Sequence, residues 1–426
     1  MTLSRNDTAF LKGIAILMIA VHNFCHWLPR CVPENEYTFD AGRIGQYLAY
    51  VAQGGPHLVL NFFSHYGHYG VPLFLFLSGY GLVKKYEKPM TMRCATMTEA
   101  EAEAETAPQT KAASQTKAAP PFPAVFRRAL QETGAALAFI WGHAVKLWRL
   151  MIPAIVLLWI CQETIGKGWQ THAEDLLKMV TYTTNLYYKR DLILGPWWFF
   201  SLILQLYVVY RLVLYPTRHW MHARLGRLSP HLVPGLCALT CLALQCGLYY
   251  ADVRMSPDWH LHLHDASPRH WDLFNYCRYN FPGSMLPFAL GIMMARDEQG
   301  RSVQPTRSAT LIASAAVGTA LLLVSAGYPL LWHLSPIFLL MALVPVAGLV
   351  TNEGIRRPLV WIGHISAALF ALHPIVRAFT VAYAKHADQQ GQWLATWGYL
   401  LLYLALSIAA AWLFTLITNK ILSHVR

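Results

Sequence analysis

The stretch Phe10-Leu-Lys-Gly-Ile-Ala-Ile-Leu-Met-Ile-Ala-Val-His22-Asn23-Phe24 decides the fold, because it is an apolar run of the kind that crosses a membrane as a helix. It lacks a small-residue cleavage site, so we expect a retained first span rather than a signal peptide. An ionisable side chain inside a bilayer costs about 2.5–3.5 kcal/mol on insertion scales, which makes His22 a candidate functional residue. The alternative is a structural histidine that bonds to a neighbouring hydroxyl.

The composition of the whole chain predicts a polytopic membrane protein. Of 426 residues, 55% are hydrophobic and only 13% are charged, whereas soluble domains carry about 25% charged residues. Long apolar runs recur throughout, so we predict an all-α membrane helical bundle of about ten transmembrane helices in a single domain, 1–426. The predicted spans are roughly 9–29, 69–86, 147–165, 192–214, 231–251, 279–296, 308–326, 331–351, 359–381 and 394–418.

The distribution of basic residues predicts the orientation. The net charge of +12 does not indicate nucleic acid, because Lys and Arg collect in particular loops between the predicted spans. If the N-terminus is cytoplasmic, most of the 34 Lys and Arg residues fall on the cytoplasmic side. The positive-inside rule therefore predicts that both termini are cytoplasmic and that the span count is even.

Segment 89–123 interrupts the membrane pattern. It contains Glu-Ala-Glu-Ala-Glu and two copies of Gln-Thr-Lys-Ala-Ala. Such low-complexity, weakly hydrophobic sequence predicts a disordered cytoplasmic insertion. The following segment, 124–146, mixes basic residues with Ala, Leu, Phe and Trp, which predicts a basic interfacial helix.

Two histidines are predicted to lie at similar membrane depth on different helices. His22 is twelve residues into the first run from Phe10, which corresponds to about 18 Å of helix. His373 lies at a comparable distance into the ninth span, which runs in the same direction. Such a pair suits proton transfer, or a base and its orienting partner. Coincidence is the alternative, since the chain has 19 histidines.

Polar and aromatic residues near the ends of other spans are further candidates for binding the substrates. Arg149 is either a snorkelling anchor or a clamp for phosphate or carboxylate, because a guanidinium binds both in a fork. Arg278 and Asn280 begin the sixth span and are candidate substrate-binding residues. Trp198 opens the fourth span as part of an aromatic belt or of a substrate site, and Tyr207 lies deeper in the same span.

Histidines in the predicted outer loops give weaker signals. His260, His262 and His264 alternate as they would on one face of a strand, an arrangement that could bind Zn²⁺. Alternation alone is weak, and we expect no metal. Three histidines before the second span are expected in a solvated loop: His57, His65 and His68.

Four stretches in order resemble the acyltransferase-3 family of integral-membrane acyltransferases. Residues 12–22 resemble its first span, in which a basic residue precedes an essential histidine. Gly-Val-Pro-Leu-Phe-Leu-Phe-Leu-Ser-Gly-Tyr-Gly at 70–81 resembles its second span, and Gly-Pro-Trp-Trp-Phe-Phe at 195–200 resembles its fourth. Residues 361–374, which end in Leu-His-Pro, resemble a late motif of the family. The likeness covers nearly the whole chain except 89–123.

This resemblance implies a bacterial plasma-membrane enzyme that moves an acyl group from cytoplasmic acyl-CoA, expected to be acetyl-CoA, to a hydroxyl of a cell-surface or lipid-linked glycan. His22 would be the general base or would itself carry the acyl group. His373 would assist, and Arg278 or Tyr207 would stabilise the oxyanion. Lys12 and Arg149 would bind the CoA donor. The resemblance also suggests contacts with membrane lipid and with polysaccharide assembly proteins.

Two other classes fit the same sequence. Buried His and Arg would suit a proton-coupled transporter, although no internal repeat of the kind common in transporters is present. The third possible class, besides the acyltransferase and the transporter, is a non-catalytic partner in polysaccharide assembly.

Overall fold

The computed structural model describes residues 2–35, 39–54, 57–87, 122–164, 171–186, 194–218, 229–254, 273–300 and 307–424. These residues form helices and connecting turns, and no strand occurs among them. The chain is therefore the all-α membrane bundle that its hydropathy predicted.

Sixteen α-helices make up the described part of the chain. They are α1 Arg5–Cys25, α2 Ala41–Gln53, α3 Leu58–Tyr66, α4 Gly70–Tyr86, α5 Phe122–Thr164, α6 Ala173–Val180, α7 Trp198–Val209, α8 Ser229–Arg254, α9 Leu273–Tyr279, α10 Phe281–Gly300, α11 Ser308–Ser325, α12 Pro329–Leu343, α13 Val346–Leu349, α14 Glu353–His364, α15 Ser366–Gln389 and α16 Trp393–His424. A 3₁₀ turn, Gly67–Tyr69, joins α3 to α4, and a π-helical turn, Tyr210–Leu214, continues α7.

Eight helical segments of the described residues are long and apolar enough to cross a membrane, fewer than the ten spans predicted. They are Arg5–Cys25, Gln131–Thr164, Gly195–Arg218, His231–Ala251, Ser308–Ser325, Pro329–Leu349, Ser366–Gln389 and Trp393–Lys420. The second and sixth predicted spans correspond to α4 and α10, which are not among the eight. The first is only 17 residues long, and the second ends in a run with Arg296, Asp297 and Glu298.

Two predicted boundaries change. The segment predicted as an interfacial helix, 124–146, is continuous with the third span in the 43-residue α5. Whether its first half lies in the interface stays a prediction. The predicted ninth span, 359–381, is divided at Ile365 into the amphipathic α14 and the spanning α15. Only the second of these has the length and apolarity to cross a membrane.

Glycines allow the central helices to approach closely. A side chain at Gly79 would strike the carbonyl of Phe288, and one at Gly291 would strike the carbonyl of Phe76, so α4 and α10 pack backbone to backbone. Contacts of this kind are a main source of helix association in a membrane, where lipid is as apolar as the side chains. Helices α4 and α10, which are not among the eight long apolar segments, are therefore closely packed against each other within the bundle.

The bundle has two ends, which we name after the first and last residues of α1. At the Arg5 end, Ser4 and Asp7 cap α1 reciprocally, and the hydroxyl of Tyr80 donates to the carbonyl of Leu3 at 2.9 Å. Because α4 starts next to His22, it runs from the Cys25 end to the Arg5 end. Helices α2 and α3 come between α1 and α4 in the chain. The carbonyls of Phe63 and Ser64 on α3 bond to His22, which places α3 at the Cys25 end.

Candidate functional site

His22 lies in the last turn of α1 and is held in one tautomer. Its ring is only 3% exposed. Its Nδ1 lies 3.1 Å from the carbonyl oxygens of both Phe63 and Ser64. A carbonyl can only accept, so Nδ1 must carry the proton and donate it. The lone pair of the neutral ring therefore lies on Nε2, the nitrogen that can take a proton or bind a metal.

Two more imidazoles surround His22. The ring of His26 lies one turn further along the chain, with its centroid 5.2 Å away, and the ring of His68 lies 5.6 Å away. His68 reaches this position because the 3₁₀ turn before α4 passes directly against α1. At its first residue, Gly67, any side chain would collide with the Cβ of His22. We call His22, His26 and His68 the histidine cluster.

The histidine cluster contains buried nitrogens without hydrogen-bond partners among the described residues. These are Nδ1 of His26 and both ring nitrogens of His68. Unsatisfied buried polar atoms are rare in folded proteins, and they cost about 1–3 kcal/mol each. These three atoms on two neighbouring rings make the histidine cluster a candidate for binding a polar ligand.

A cavity of about 300 Å³ opens beside the histidine cluster. Its lining joins α1, α4, α7 and α15: Ile19, His22, Asn23, His26, Trp27, His68, Val71, Gly195, Pro196, Trp198, Phe199, Phe370 and Arg377. Nη1 of Arg377 donates to the side-chain oxygen of Asn23 at 2.8 Å and to its backbone oxygen at 3.1 Å. This fixes a positive charge on the wall of the cavity.

A second cavity, of about 90 Å³, adjoins the first at the Cys25 end. His68, Val71 and Trp198 line both cavities. The guanidinium of Arg278 lies 4.4 Å from the ring centroid of Trp332 on the second wall. Two of the predicted substrate-binding residues, Trp198 and Arg278, therefore lie on these cavity walls.

A carboxylate completes the surroundings of the histidine cluster. Glu34 lies in the connection between α1 and α2 and is half-buried. One ligand atom each from His22, His26 and Glu34 lie within 4.8 Å of one another. Two imidazoles and a carboxylate form a donor set that divalent metals use.

His373 lies one turn before Arg377, which bonds to Asn23 beside His22, but the surroundings of His373 differ from those of His22. Whether the two rings lie at one membrane depth stays a prediction. It is fully buried on α15 between Phe370 and Arg377, both of which line the first cavity. Its Nδ1 donates to the carbonyl of Leu369 at 3.0 Å, and its Nε2 has no hydrogen-bond partner among the described residues. The rings that contact His22 are His26 and His68, so the pairing of His22 with His373 stays a prediction.

Tyr207 lies away from the histidine cluster. It follows Trp198 by nine residues on α7, or about 13 Å of helix, in the direction of the Arg5 end. There it hydrogen-bonds with Ser78, and its ring lies 4.6 Å from that of His143. Tyr207 therefore lies next to His143, which lines a third cavity at the Arg5 end of the bundle.

That third cavity, of about 500 Å³, lies at the Arg5 end. Its lining combines aromatic and basic residues: Tyr86, Ala135, Ala138, Phe139, Gly142, His143, Lys146, Tyr210, Arg211 and Tyr215. The guanidinium of Arg211 lies 4.8 Å from the ring of Tyr215 and forms a 3.5 Å ion pair with Glu132. A basic, aromatic cavity of this size suits a nucleotide with phosphates.

Three of the predicted binding residues line none of these three cavities. Arg149 is exposed on α5, and Lys12 is half-buried on α1. Asn280 has a structural role: its Oδ1 accepts from Gln205 at 2.8 Å, and its Nδ2 donates to the carbonyls of Asn185 and Tyr276. The substrate and donor roles of these three residues stay predictions.

Sequence reasoning missed part of the site. The expectation that His57, His65 and His68 lie in a solvated loop is wrong, since their exposed fractions are 3%, 2% and 6%. Helices α2 and α3 fold this segment onto the bundle. The signal that could have found the cluster is the four-residue spacing of His22 and His26, which places both rings on one helix face. His260, His262 and His264 lie outside the described residues.

Comparison with known proteins gives one match. The model of a family described as an acyltransferase domain matches residues 9–416, nearly the whole chain. No curated protein and no solved structure matches the chain.

Proposed function

The chain belongs to the acyltransferase-3 family and is a membrane acyltransferase, and from this premise we propose that His22 is the general base for transfer to an acceptor hydroxyl. The donor is acyl-CoA, with acetyl-CoA the expected form. The acceptor is a hydroxyl of a cell-surface or lipid-linked glycan. A thioester is already activated, so the protein has to position the two substrates and remove the hydroxyl proton.

The observation that carries this proposal is the fixed tautomer of His22. Because the carbonyls of Phe63 and Ser64 hold the proton on Nδ1, the ring keeps a lone pair on Nε2. The bonds also orient the ring, as an orienting partner does in other base-assisted transfers. A hydroxyl bound in the 300 Å³ cavity would lose its proton to Nε2 as its oxygen attacks the thioester carbon. The proton then passes to the departing CoA thiolate.

The two cavities at the Cys25 end suit a sugar acceptor. The ring of Trp198 offers a flat apolar face, and the ring nitrogens of His68, which have no partner among the described residues, offer hydrogen bonds to hydroxyls. Arg278 lies on the same wall as Trp332 and is our candidate for the oxyanion that forms during attack.

The cavity at the Arg5 end suits the CoA moiety. Lys146 and Arg211 would bind phosphates, and the tyrosines around them would stack on the adenine. Along α7, the rise from Trp198 to Tyr210 is about 18 Å, which the flexible pantetheine arm would have to span for the thioester to reach His22. Tyr207 lies along this path.

The orientation of the enzyme follows from this assignment. CoA is a cytoplasmic metabolite, so the Arg5 end would face the cytoplasm and the histidine cluster would lie in the outer half of the bacterial plasma membrane. The positive-inside pattern supports the same orientation.

The test is release of free CoA thiol from acetyl-CoA by detergent-purified protein, with a native membrane extract as the source of acceptor. We expect release by the wild type and a loss of 10²–10⁴-fold in His22→Ala. The matched control is His386→Ala, an exposed histidine on α15 at the same end of the bundle, which should retain wild-type rate. A wild-type rate in His22→Ala, with normal folding, would exclude His22 as the base.

A further inference from the structure

Three side chains at the Cys25 end have the composition of a metal site, although the sequence alone predicted no metal. His22 and His26 are four residues apart, so both rings project from one side of the end of α1. Glu34 comes from the connection that follows. We propose that His22, His26 and Glu34 bind Zn²⁺.

The donor set favours zinc over the harder divalent ions. Imidazole nitrogens and a carboxylate oxygen are common Zn²⁺ ligands, and zinc sites often combine two histidines and one glutamate with an open fourth position. Mg²⁺ and Ca²⁺ prefer sites built from oxygen alone. The 300 Å³ cavity next to His22 and His26 provides room for a water or a hydroxyl at the fourth position.

The surroundings of His22 match those of a zinc ligand. Histidines that bind a metal through one ring nitrogen nearly always donate from the other to a carboxylate, a carbonyl or water. Here Nδ1 donates to the carbonyls of Phe63 and Ser64, which aims Nε2 away from them. His26 has a buried Nδ1 without a hydrogen-bond partner among the described residues. A bound ion would compensate for the burial of these polar groups.

The remaining requirement is a small contraction. In a tetrahedral site with bonds of about 2.0–2.1 Å, ligand atoms lie about 3.4 Å apart. The three ligand atoms lie within 4.8 Å of one another. Binding of Zn²⁺ would therefore draw the three ligand atoms closer together. The charge of Arg377 on the cavity wall opposes a cation, and the Glu34 carboxylate offsets it.

Zinc at this position would inhibit acyl transfer, a consequence that rests on the proposed function. A ring nitrogen that is bound to Zn²⁺ has no lone pair for the proton of the acceptor hydroxyl. Zn²⁺ and acceptor deprotonation therefore compete for Nε2 of His22. Zinc in the surrounding medium would lower the activity, and a chelator would restore it.

The test measures binding of Zn²⁺ alone to tag-free, full-length protein in detergent, after treatment with a chelator. We expect one Zn²⁺ per chain by calorimetry and by elemental analysis, with Mg²⁺ as the control ion. Glu34→Gln and His26→Gln should each weaken binding at least tenfold, since loss of one ligand disrupts the site. The matched controls are His386→Gln and Glu353→Gln, two exposed residues outside the cluster, which should bind Zn²⁺ as the wild type does.

Two outcomes would overturn the site: no stoichiometric Zn²⁺ in the wild type, or wild-type binding in both Glu34→Gln and His26→Gln. Zn²⁺ should also raise the melting temperature of the wild type, and this shift should be absent from the two variants. Both readouts are independent of acyl transfer. If Zn²⁺ binds as expected but His22→Ala still transfers acetyl groups, the zinc site stands and the proposed base is wrong.

Discussion

Two groups of buried polar residues, one at each end of the bundle, differ in how fully they are paired. At the Arg5 end, the carboxylate of Glu87 is fully enclosed and receives two hydrogen bonds from Arg296, at 2.8 and 3.0 Å. Arg218 lies 3.0 Å from the same carboxylate, and the hydroxyl of Tyr210 donates to it at 3.1 Å. We call these four residues the Glu87 network. At the Cys25 end, the histidine cluster leaves three ring nitrogens without a partner among the described residues.

This difference indicates a structural role for the Glu87 network and a ligand-binding role for the histidine cluster. A buried charge is tolerated only when it is paired, and the Glu87 network pairs its charges while joining α4, α7 and α10. It therefore stabilises the fold and is not available to a substrate. The ring nitrogens of His26 and His68 that have no partner among the described residues would instead bond to a ligand. Four experiments test this contrast, from the largest expected effect to the smallest.

Replacement of Glu87 by Ala should have the largest effect. It leaves two buried guanidinium groups without their carboxylate, and removal of one partner from a buried pair costs about 3–5 kcal/mol. We expect loss of most folded protein, measured by thermal unfolding in detergent and by gel filtration. The control is Glu353→Ala, whose carboxylate is paired with Arg357 at the surface and should cost less than about 1 kcal/mol. Equal melting temperatures for the two variants would remove the distinction between the ends.

His68→Phe should show the opposite pattern. Its ring nitrogens have no protein partner among the described residues, so an apolar ring of similar shape should leave the melting temperature equal or higher. The rate of acetyl transfer should fall about tenfold, or about 1.4 kcal/mol, because the hydrogen bonds proposed to the acceptor are lost. A large loss of stability with unchanged specific activity would instead make His68 a structural residue.

The sequence predicted the fold class and identified His22 as a candidate, but it did not predict which side chains surround His22. Hydropathy located the spanning helices because long apolar runs are a local property. It did not show how α4 and α10 pack, because their contact depends on glycines in distant segments of the chain, such as Gly79 against Phe288. Membrane depth predicted that His22 and His373 lie at one level. It could not show that a short turn after α3 brings His68 against His22.

His373→Phe tests the pair that depth alone predicted. The ring is fully buried and lines none of the three cavities, although Phe370 and Arg377 beside it line the first. We therefore expect a decrease in transfer rate of less than tenfold, well below that of His22→Ala. A loss equal to that of His22→Ala, without loss of folded protein, would mean that the two histidines act as a unit.

The smallest effects should distinguish two basic residues on α5. Both Lys146 and Arg149 are exposed, but only Lys146 lines the cavity at the Arg5 end. If the cavity binds CoA phosphates, Lys146→Gln should raise the KM for acetyl-CoA about threefold to tenfold, because one charge-assisted contact with a phosphate is lost. Arg149→Lys should leave KM unchanged, because a lysine keeps the positive charge at an exposed position. The sequence predicted the reverse for Arg149, since an ammonium cannot reproduce the bidentate fork of a guanidinium. A raised KM in Arg149→Lys with an unchanged KM in Lys146→Gln would indicate that Arg149, and not Lys146, binds the CoA donor. The 500 Å³ cavity would then need a different ligand.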